Sequence, residues 1–128
     1  MNMKKIVKVA AVGALVALAA SCAPQKIAVT AHRGFWNCEE AGYAENSIKS
    51  LELAQQNGLW GSEFDVHITS DLVMLVHHDP DIDGMRIWNH DYADFKDCRL
   101  KNGEKIPTLD EYLAQGEKSK KTVLVFEL

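Results

Sequence analysis

Between Gly61 and Asp79 the chain reads GSEFDVHITSDLVMLVHHD, two short apolar runs joined by a polar turn. Both runs are expected to be extended, with Thr69-Ser70-Asp71 as the turn between them. The first run carries Glu63 and Asp65, and residues two apart on a strand project from the same face. Two carboxylates held side by side are costly unless neutralised, and a bound cation is a common remedy. The second run ends in His78-Asp79. Adjacent strand residues face opposite ways, so His77 and His78 cannot both reach one centre, and His77 reads as packing. His67 shares the face of Glu63 and Asp65 without an evident role.

The flanking sequence places this stretch in an α/β fold. Ile27–Ala31 reads as a buried strand that runs directly into His32-Arg33-Gly34 and an irregular loop, Phe35–Tyr43. Asn46-Ser47 signals a helix start; Ile48, Leu51 and Ala54 recur at helical spacing, and Gly58 is the stop. Trp60–Val66 is the second strand and Val73–His78 a further extended run, so the order strand, helix, strand predicts a parallel sheet. From Pro80 to about residue 106 the chain is rich in Asp, Asn and Gly, yet Met85, Ile87, Trp88, Tyr92, Phe95 and Leu100 are too many large apolar residues for a disordered linker. This segment reads as a small inserted cap with its own minor core. Thr108-Leu109-Asp110-Glu111 is a capping box, with Leu109, Tyr112 and Leu113 as the buried stripe of a short helix closed by Gly116. Thr122–Glu127 is the third parallel strand.

Functional groups in parallel α/β folds gather at the carboxyl ends of strands. His32 and Arg33 follow the first strand, Glu63 and Asp65 sit late in the second, His78 ends the extended run, and Glu127 ends the third. Singly, each has an ordinary reading: a loop hydrogen-bonder, a solvated strand-edge pair, a chain-end carboxylate. Four strand ends carrying such residues together point to a site. Trp36 and Tyr43 are candidates for lining a pocket or for simple packing.

The first 21 residues read as a targeting segment. Lys4 and Lys5 precede an almost wholly apolar stretch, Ile6–Ala20, too short for a comfortable membrane span, and small residues then lead to Cys22. The cysteine straight after small residues resembles the lipobox of bacterial lipoproteins, with Ala19 where that pattern usually has Leu. The resemblance implies a lipoprotein signal peptide over residues 1–21, lipidation of Cys22 and a tether over residues 22–26, and an ordinary secretory signal is the alternative. Either way export is expected, with the lipid anchor holding the protein on a bacterial membrane at its periplasmic or surface face. Removal of the segment takes the net charge from −4 to about −7, an acidic balance that argues against nucleic-acid partners. An oxidising compartment permits a disulfide between Cys38 and Cys98, and no structural zinc spacing is present.

The ordered set His32-Arg33-Gly34, Glu45-Asn46-Ser47, Glu63-Phe64-Asp65-Val66, Thr69, Asp71 and Val76-His77-His78-Asp79, with Pro107-Thr108-Leu109 and Val125-Phe126-Glu127 later, resembles the N-terminal signature of the glycerophosphodiester phosphodiesterases. The resemblance runs over residues 27–128. It implies a TIM-type (β/α)8 barrel and hydrolysis of glycerophosphodiesters, small-molecule substrates, to glycerol 3-phosphate and an alcohol, with Ca²⁺ or Mg²⁺. It also implies that Glu63, Asp65 and Glu127 hold the metal and that His32 and His78 form the acid/base pair. Arg33 would contact phosphate, with Glu45 and Asp79 in support. Hard cations take oxygen ligands, and phosphoryl transfer needs positioning and charge stabilisation more than covalent help.

Two positions depart from the family pattern: Leu72 stands where Gly is usual in the strand-to-strand turn, and Gly84 where many members have Arg. A closed barrel needs eight strands and about 250 residues, whereas this sequence supplies three βα units at most. The expectation is therefore the N-terminal part of a barrel, incomplete in this chain and with little activity in isolation. The alternatives are a non-catalytic piece, either a truncated lipoprotein fragment or a lipoprotein that binds anionic ligands without cleaving them, and a phospholipid phosphodiesterase of the same architecture.

Overall fold

The computed structural model describes residues 27–128; the expected signal segment and tether, with Cys22, lie outside the described residues. The organising element is β2 (Gly61–Ile68), an eight-residue strand buried over its first six positions. On one side Gly61 and Ser62 pair in parallel with β1 (Thr30–Ala31), and on the other Gly61–Asp65 pair in parallel with β6 (Val123–Glu127). The distal part of β2, Val66–Ile68, instead pairs antiparallel with β3 (Met74–Val76). One strand thus belongs to a parallel sheet at its start and to a hairpin at its end.

The first strand is shorter than the sequence suggests. Ile27 is 89% and Val29 53% exposed, because β1 has a pairing partner only towards β2 among the described residues. Helix α1 (Ile48–Gln56) begins as expected, with Ser47 Oγ accepting from the Ser50 amide and Asn57 with Gly58 (φ +64°) closing it. The carboxylate of Glu104 adds a second cap, accepting from the amides of Ile48 and Lys49 at 2.9 and 3.3 Å. Both bonds satisfy donors that a helix start leaves unpaired.

Helix α2 (Tyr92–Phe95) follows a two-residue hairpin between β4 (Asp81–Ile82) and β5 (Met85–Arg86) and a 3₁₀ turn at Ile87–Asn89. Asp83 and Gly84 at the hairpin tip both have positive φ, the geometry that matches strand twist in such tight connections. These elements close over a small core of Leu75, Ile82, Ile87, Phe95, Cys98 and Ile106. Trp88 does not join it: the ring is half exposed and lies under the Arg86 guanidinium at 4.7 Å.

Helix α3 (Leu109–Gly116) has the full capping box, Thr108 with Glu111. Two details of this helix differ from the sequence reading. Leu113 is 39% exposed, and the buried face is Tyr112, Gln115 and Gly116. Gly116 is not a left-handed terminator either. A Cβ there would lie 2.5 Å from Leu124 Cδ1, so its smallness lets α3 approach β6. The second core, Leu51, Phe64, Val66, Val76 and Tyr112, fills the space between β2, β3 and the two helices, with Phe64 against Tyr112 at 4.8 Å between ring centres.

Candidate metal and phosphate site

Glu63 and Asp65 leave β2 on one face, and the parallel register sets Glu127 of β6 directly beside Asp65. One carboxylate oxygen from each of the three lies within 4.8 Å of the others. Glu63 and Asp65 are only 8% and 9% exposed, whereas Glu127 is open to solvent. Burial, assisted by the charges of Asp65 and Glu127, pushes the Glu63 carboxyl above its ordinary value, although the Arg33 amide bond opposes it. Its Oε1 is buried without a hydrogen-bond partner. Three converging carboxylates, one with an orphaned buried oxygen, fit a hard divalent cation, and Glu63, Asp65 and Glu127 are the residues that would hold it.

The loop after β1 is wrapped around this cluster. The Arg33 amide donates to Glu63 Oε2 at 2.8 Å, its Nη1 donates to Glu45 at 2.9 Å, and its Nε stands 3.7 Å from Asp65 without a hydrogen bond. Burial works against the charge of Arg33, but Glu45 together with Asp65 and Glu63 outweighs it and raises the guanidinium further. His32, two-thirds exposed, points Nε2 towards Glu63 at 3.9 Å. Arg33 adopts φ +58° and Gly34 φ +80°. A Cβ on Gly34 would sit 2.3 Å from Ser50 Oγ, so this crossing demands glycine. The start of α1 then fastens the loop. The Asn46 amide donates to the Arg33 carbonyl at 3.0 Å, as does Ser50 Oγ at 3.3 Å, and Phe35 N donates to the Ser50 carbonyl at 2.9 Å.

Asn46 is the residue that sequence reasoning underrated. The sequence gives it a place at the helix start and no site role, yet it is 1% exposed with φ +56°. Its Nδ2 donates to Asp65 Oδ2 at 2.8 Å, and its Oδ1 accepts from the Asp65 amide at 3.3 Å. The signal was its place between Glu45 and Ser47 in the family pattern. Trp36 borders a cavity of 330 Å³ shared with His32 and Phe35. Tyr43 lies elsewhere, under the Lys101 ammonium at 5.3 Å.

His78 stands apart from this group. It is exposed and its Nδ1 donates to Asp79 Oδ1 at 2.8 Å, which holds the Asp79 carboxyl below its ordinary range. Among the described residues no hydrogen bond or ion pair joins His78 to the three carboxylates. His77 is half-buried and lies just past the end of β3: its amide donates to the Asp65 carbonyl at 3.1 Å, and its ring meets the Asp79 carbonyl rather than a core. Cys38 and Cys98 are both free thiols, so the permitted disulfide is not formed.

An acidic cluster lies at the carboxyl ends of parallel strands with an arginine and a histidine on the preceding loop, a donor set that suits a hard cation and an anionic group in an α/β protein. Residues 32–126 match the glycerophosphoryl diester phosphodiesterase family, and the chain belongs to that family. A solved glycerophosphodiester phosphodiesterase from Parabacteroides distasonis is 52% identical, with a TM-score of 0.75 over 79% of this chain and 42% of its own. An Oleispira antarctica phosphodiesterase, solved with the product sn-glycerol-3-phosphate, is 29% identical, with a TM-score of 0.63 over 79% of this chain and 44% of its own. The Agrobacterium tumefaciens enzyme, at 24% identity and TM-score 0.67, covers 80% of this chain and 46% of its own and adds likeness of fold. No curated protein matches the chain. The chain spans less than half the length of these solved relatives. Its open sheet is the first arc of a TIM-type barrel, with the small core after His78 as an insertion.

Proposed function

We propose that this chain carries the metal and phosphate centre for hydrolysis of glycerophosphodiesters to glycerol 3-phosphate and an alcohol. The observation that carries the reading is the meeting of Glu63, Asp65 and Glu127 within 4.8 Å beside His32 and Arg33. A bound Ca²⁺ or Mg²⁺ would supply charge neutralisation at the phosphate oxygens. Glu63, Asp65 and Glu127 would hold that ion, and Asn46 fixes the orientation of Asp65. Arg33, itself fixed by Glu45, presents positive charge towards the phosphate. His32, exposed above Glu63, takes the proton from the attacking glycerol hydroxyl. His78 has Nδ1 committed to Asp79, which leaves Nε2 to deliver a proton to the leaving alcohol oxygen. A cyclic phosphate formed by the first attack is then opened by water, with the two imidazoles exchanging roles.

The same reading includes attachment to a membrane through lipid on Cys22 after export. Palmitate labelling of the cell-expressed chain, lost in Cys22→Ser, is the check, and unlabelled wild type would reject the anchor. For the chemistry, residues 22–128 are assayed for glycerol 3-phosphate release from glycerophosphocholine with Ca²⁺ or Mg²⁺ and with a chelator. Metal-dependent release abolished by His32→Ala supports hydrolysis. Calcium binding unaltered in Glu63→Gln, or release that survives the chelator, would overturn the metal centre.

A further inference from the structure

β3 ends at Val76, and the last ladder pair is Val66 with Val76. His77, His78 and Asp79 then leave the sheet, and a histidine on a free segment cannot keep a fixed distance to a centre built on β2. Two contacts from β2 catch this segment. The Asp65 carbonyl accepts from the His77 amide at 3.1 Å, and the His67 ring meets the His78 carbonyl through Nε2 at 2.9 Å. Because a carbonyl only accepts, His67 must carry its proton on Nε2. His67 is four residues after Glu63 and two after Asp65 on the same strand, so its ring leaves the same face as the carboxylates. The strand that would hold the ion therefore also holds the backbone of the second histidine.

We infer that His67 is a positioning residue, whose Nε2–H fixes the His78 main chain and thereby the reach of the His78 ring to the reaction centre. The inference rests on the reading of His78 as a proton carrier. A merely structural role would predict a change in stability alone. A positioning role predicts that kcat falls while KM holds, and that any residue with an N–H at the same distance restores it. Gln supplies such a donor and Phe, similar in shape, does not.

The test uses residues 22–128 of wild type, His67→Phe and His67→Gln. Long-range proton–nitrogen spectra of the His67 ring are expected to show the Nε2–H form. Exchange of the His77 amide is expected to quicken about fivefold in His67→Phe, the worth of one ordinary hydrogen bond, and to return towards wild type in His67→Gln. The Val76 amide, bonded to the Pro107 carbonyl, is expected to stay unchanged in both. In turnover, His67→Phe should lower kcat on the order of 10-fold with KM unchanged, as for loss of a supporting contact, and His67→Gln should recover most of it. An Nδ1–H ring, or a His77 amide that exchanges at the wild-type rate in His67→Phe, overturns the inference whether or not the chain hydrolyses the diester. Loss of turnover in His78→Ala with full turnover in His67→Phe overturns it while leaving the proposed function standing. Full turnover in His78→Ala removes the proposed role of His78 and the inference with it.

Discussion

Leu75 and Val76 are neighbours on β3 and both fully buried, but they lie in different cores. Leu75 faces the core of the insertion and Val76 the core beneath the sheet, because successive strand residues point to opposite faces. The polar groups around the two cores are managed differently. In and around the insertion, Asp71 accepts from Thr69 and the Tyr92 amide, Asp81 pairs with Arg86, and Asp91 accepts from Ser70. On the sheet side, Arg33 Nε and Glu63 Oε1, both at the carboxylate cluster, are buried without hydrogen-bond partners among the described residues. Native folds rarely tolerate such atoms without a reason. The contrast separates a region whose polar groups satisfy one another from one that leaves two of them unpaired at the carboxylate cluster.

The largest effect that would break this separation comes from Phe95, 1% exposed at the centre of the insertion core. Phe95→Ala is expected to cost about 3–5 kcal/mol, read by denaturant unfolding. In hydrogen exchange, the Ile87 and Cys98 amides, bonded to the carbonyls of Pro80 and Phe95, should lose protection. The amides of β6 should keep theirs, since β6 packs only on the sheet side. Equal loss in both regions would show that the shared strand β3 fuses the two cores into one cooperative unit.

Asn46 gives the next largest effect, on the sheet side. Asn46→Ala removes the donor to Asp65 and the acceptor for the Asp65 amide, and stability should fall by about 1–3 kcal/mol. Calcium affinity measured by calorimetry should weaken roughly 10- to 100-fold, the usual consequence of losing a group that orients a ligand. Unchanged affinity would mean that Asp65 is held by the strand alone.

The two regions are also expected to respond to acid with opposite sign. Burial raises the Glu63 carboxyl above its ordinary value of 4.5, so without metal the folded state takes up this proton before the unfolded one does. Its contribution therefore improves as pH falls through the raised value towards 4.5 and is lost as pH rises again. The hydrogen bonds from Thr69 and the Tyr92 amide lower Asp71 from 3.8, and the hydrogen bond from His78 lowers Asp79. Those contributions are present above 3.8 and disappear as pH falls through the lowered values. Unfolding midpoints with a chelator should thus rise between neutral pH and about 4.5 and drop in stronger acid. Glu63→Gln should abolish the rise and leave the drop, and calcium should abolish the rise in wild type. A rise that survives in Glu63→Gln would assign it to another group.

Much of this was legible in the chain. Short-range rules located α1 through Ser47 and Gly58 and α3 through the Thr108 capping box, and the period of two put Glu63 and Asp65 on one face. What stayed hidden depends on contacts distant in sequence. Glu104 caps a helix that starts 56 residues earlier, and Gly116 is small because Leu124 leans on it. Asn46 looks like an ordinary helix-start residue until Asp65 is brought against it. The first strand is shorter than its composition suggests because, among the described residues, β1 has one neighbouring strand to pair with, which leaves Ile27 and Val29 exposed.

Leu72 gives the smallest effect and tests the turn that joins the two regions. It occupies the usual glycine place in the Thr69–Val73 turn, and the backbone has kept the glycine geometry, with φ +66° and the side chain 76% exposed. The turn is held by the Leu72 amide on the Thr69 carbonyl at 3.0 Å and by the Thr69 amide on the Val73 carbonyl at 2.9 Å. Those bonds fix φ whatever the residue. A left-handed leucine costs roughly 1–2 kcal/mol, while glycine loses about 0.5–1 kcal/mol more backbone entropy on folding. Leu72→Gly should therefore stabilise the chain by about 0.5 kcal/mol, with calcium affinity unchanged because the turn lies beyond β2 from the carboxylates. Asn, which tolerates this conformation, should fall between the two. A destabilised glycine variant would mean that the backbone entropy glycine loses on folding outweighs the strain of a left-handed leucine.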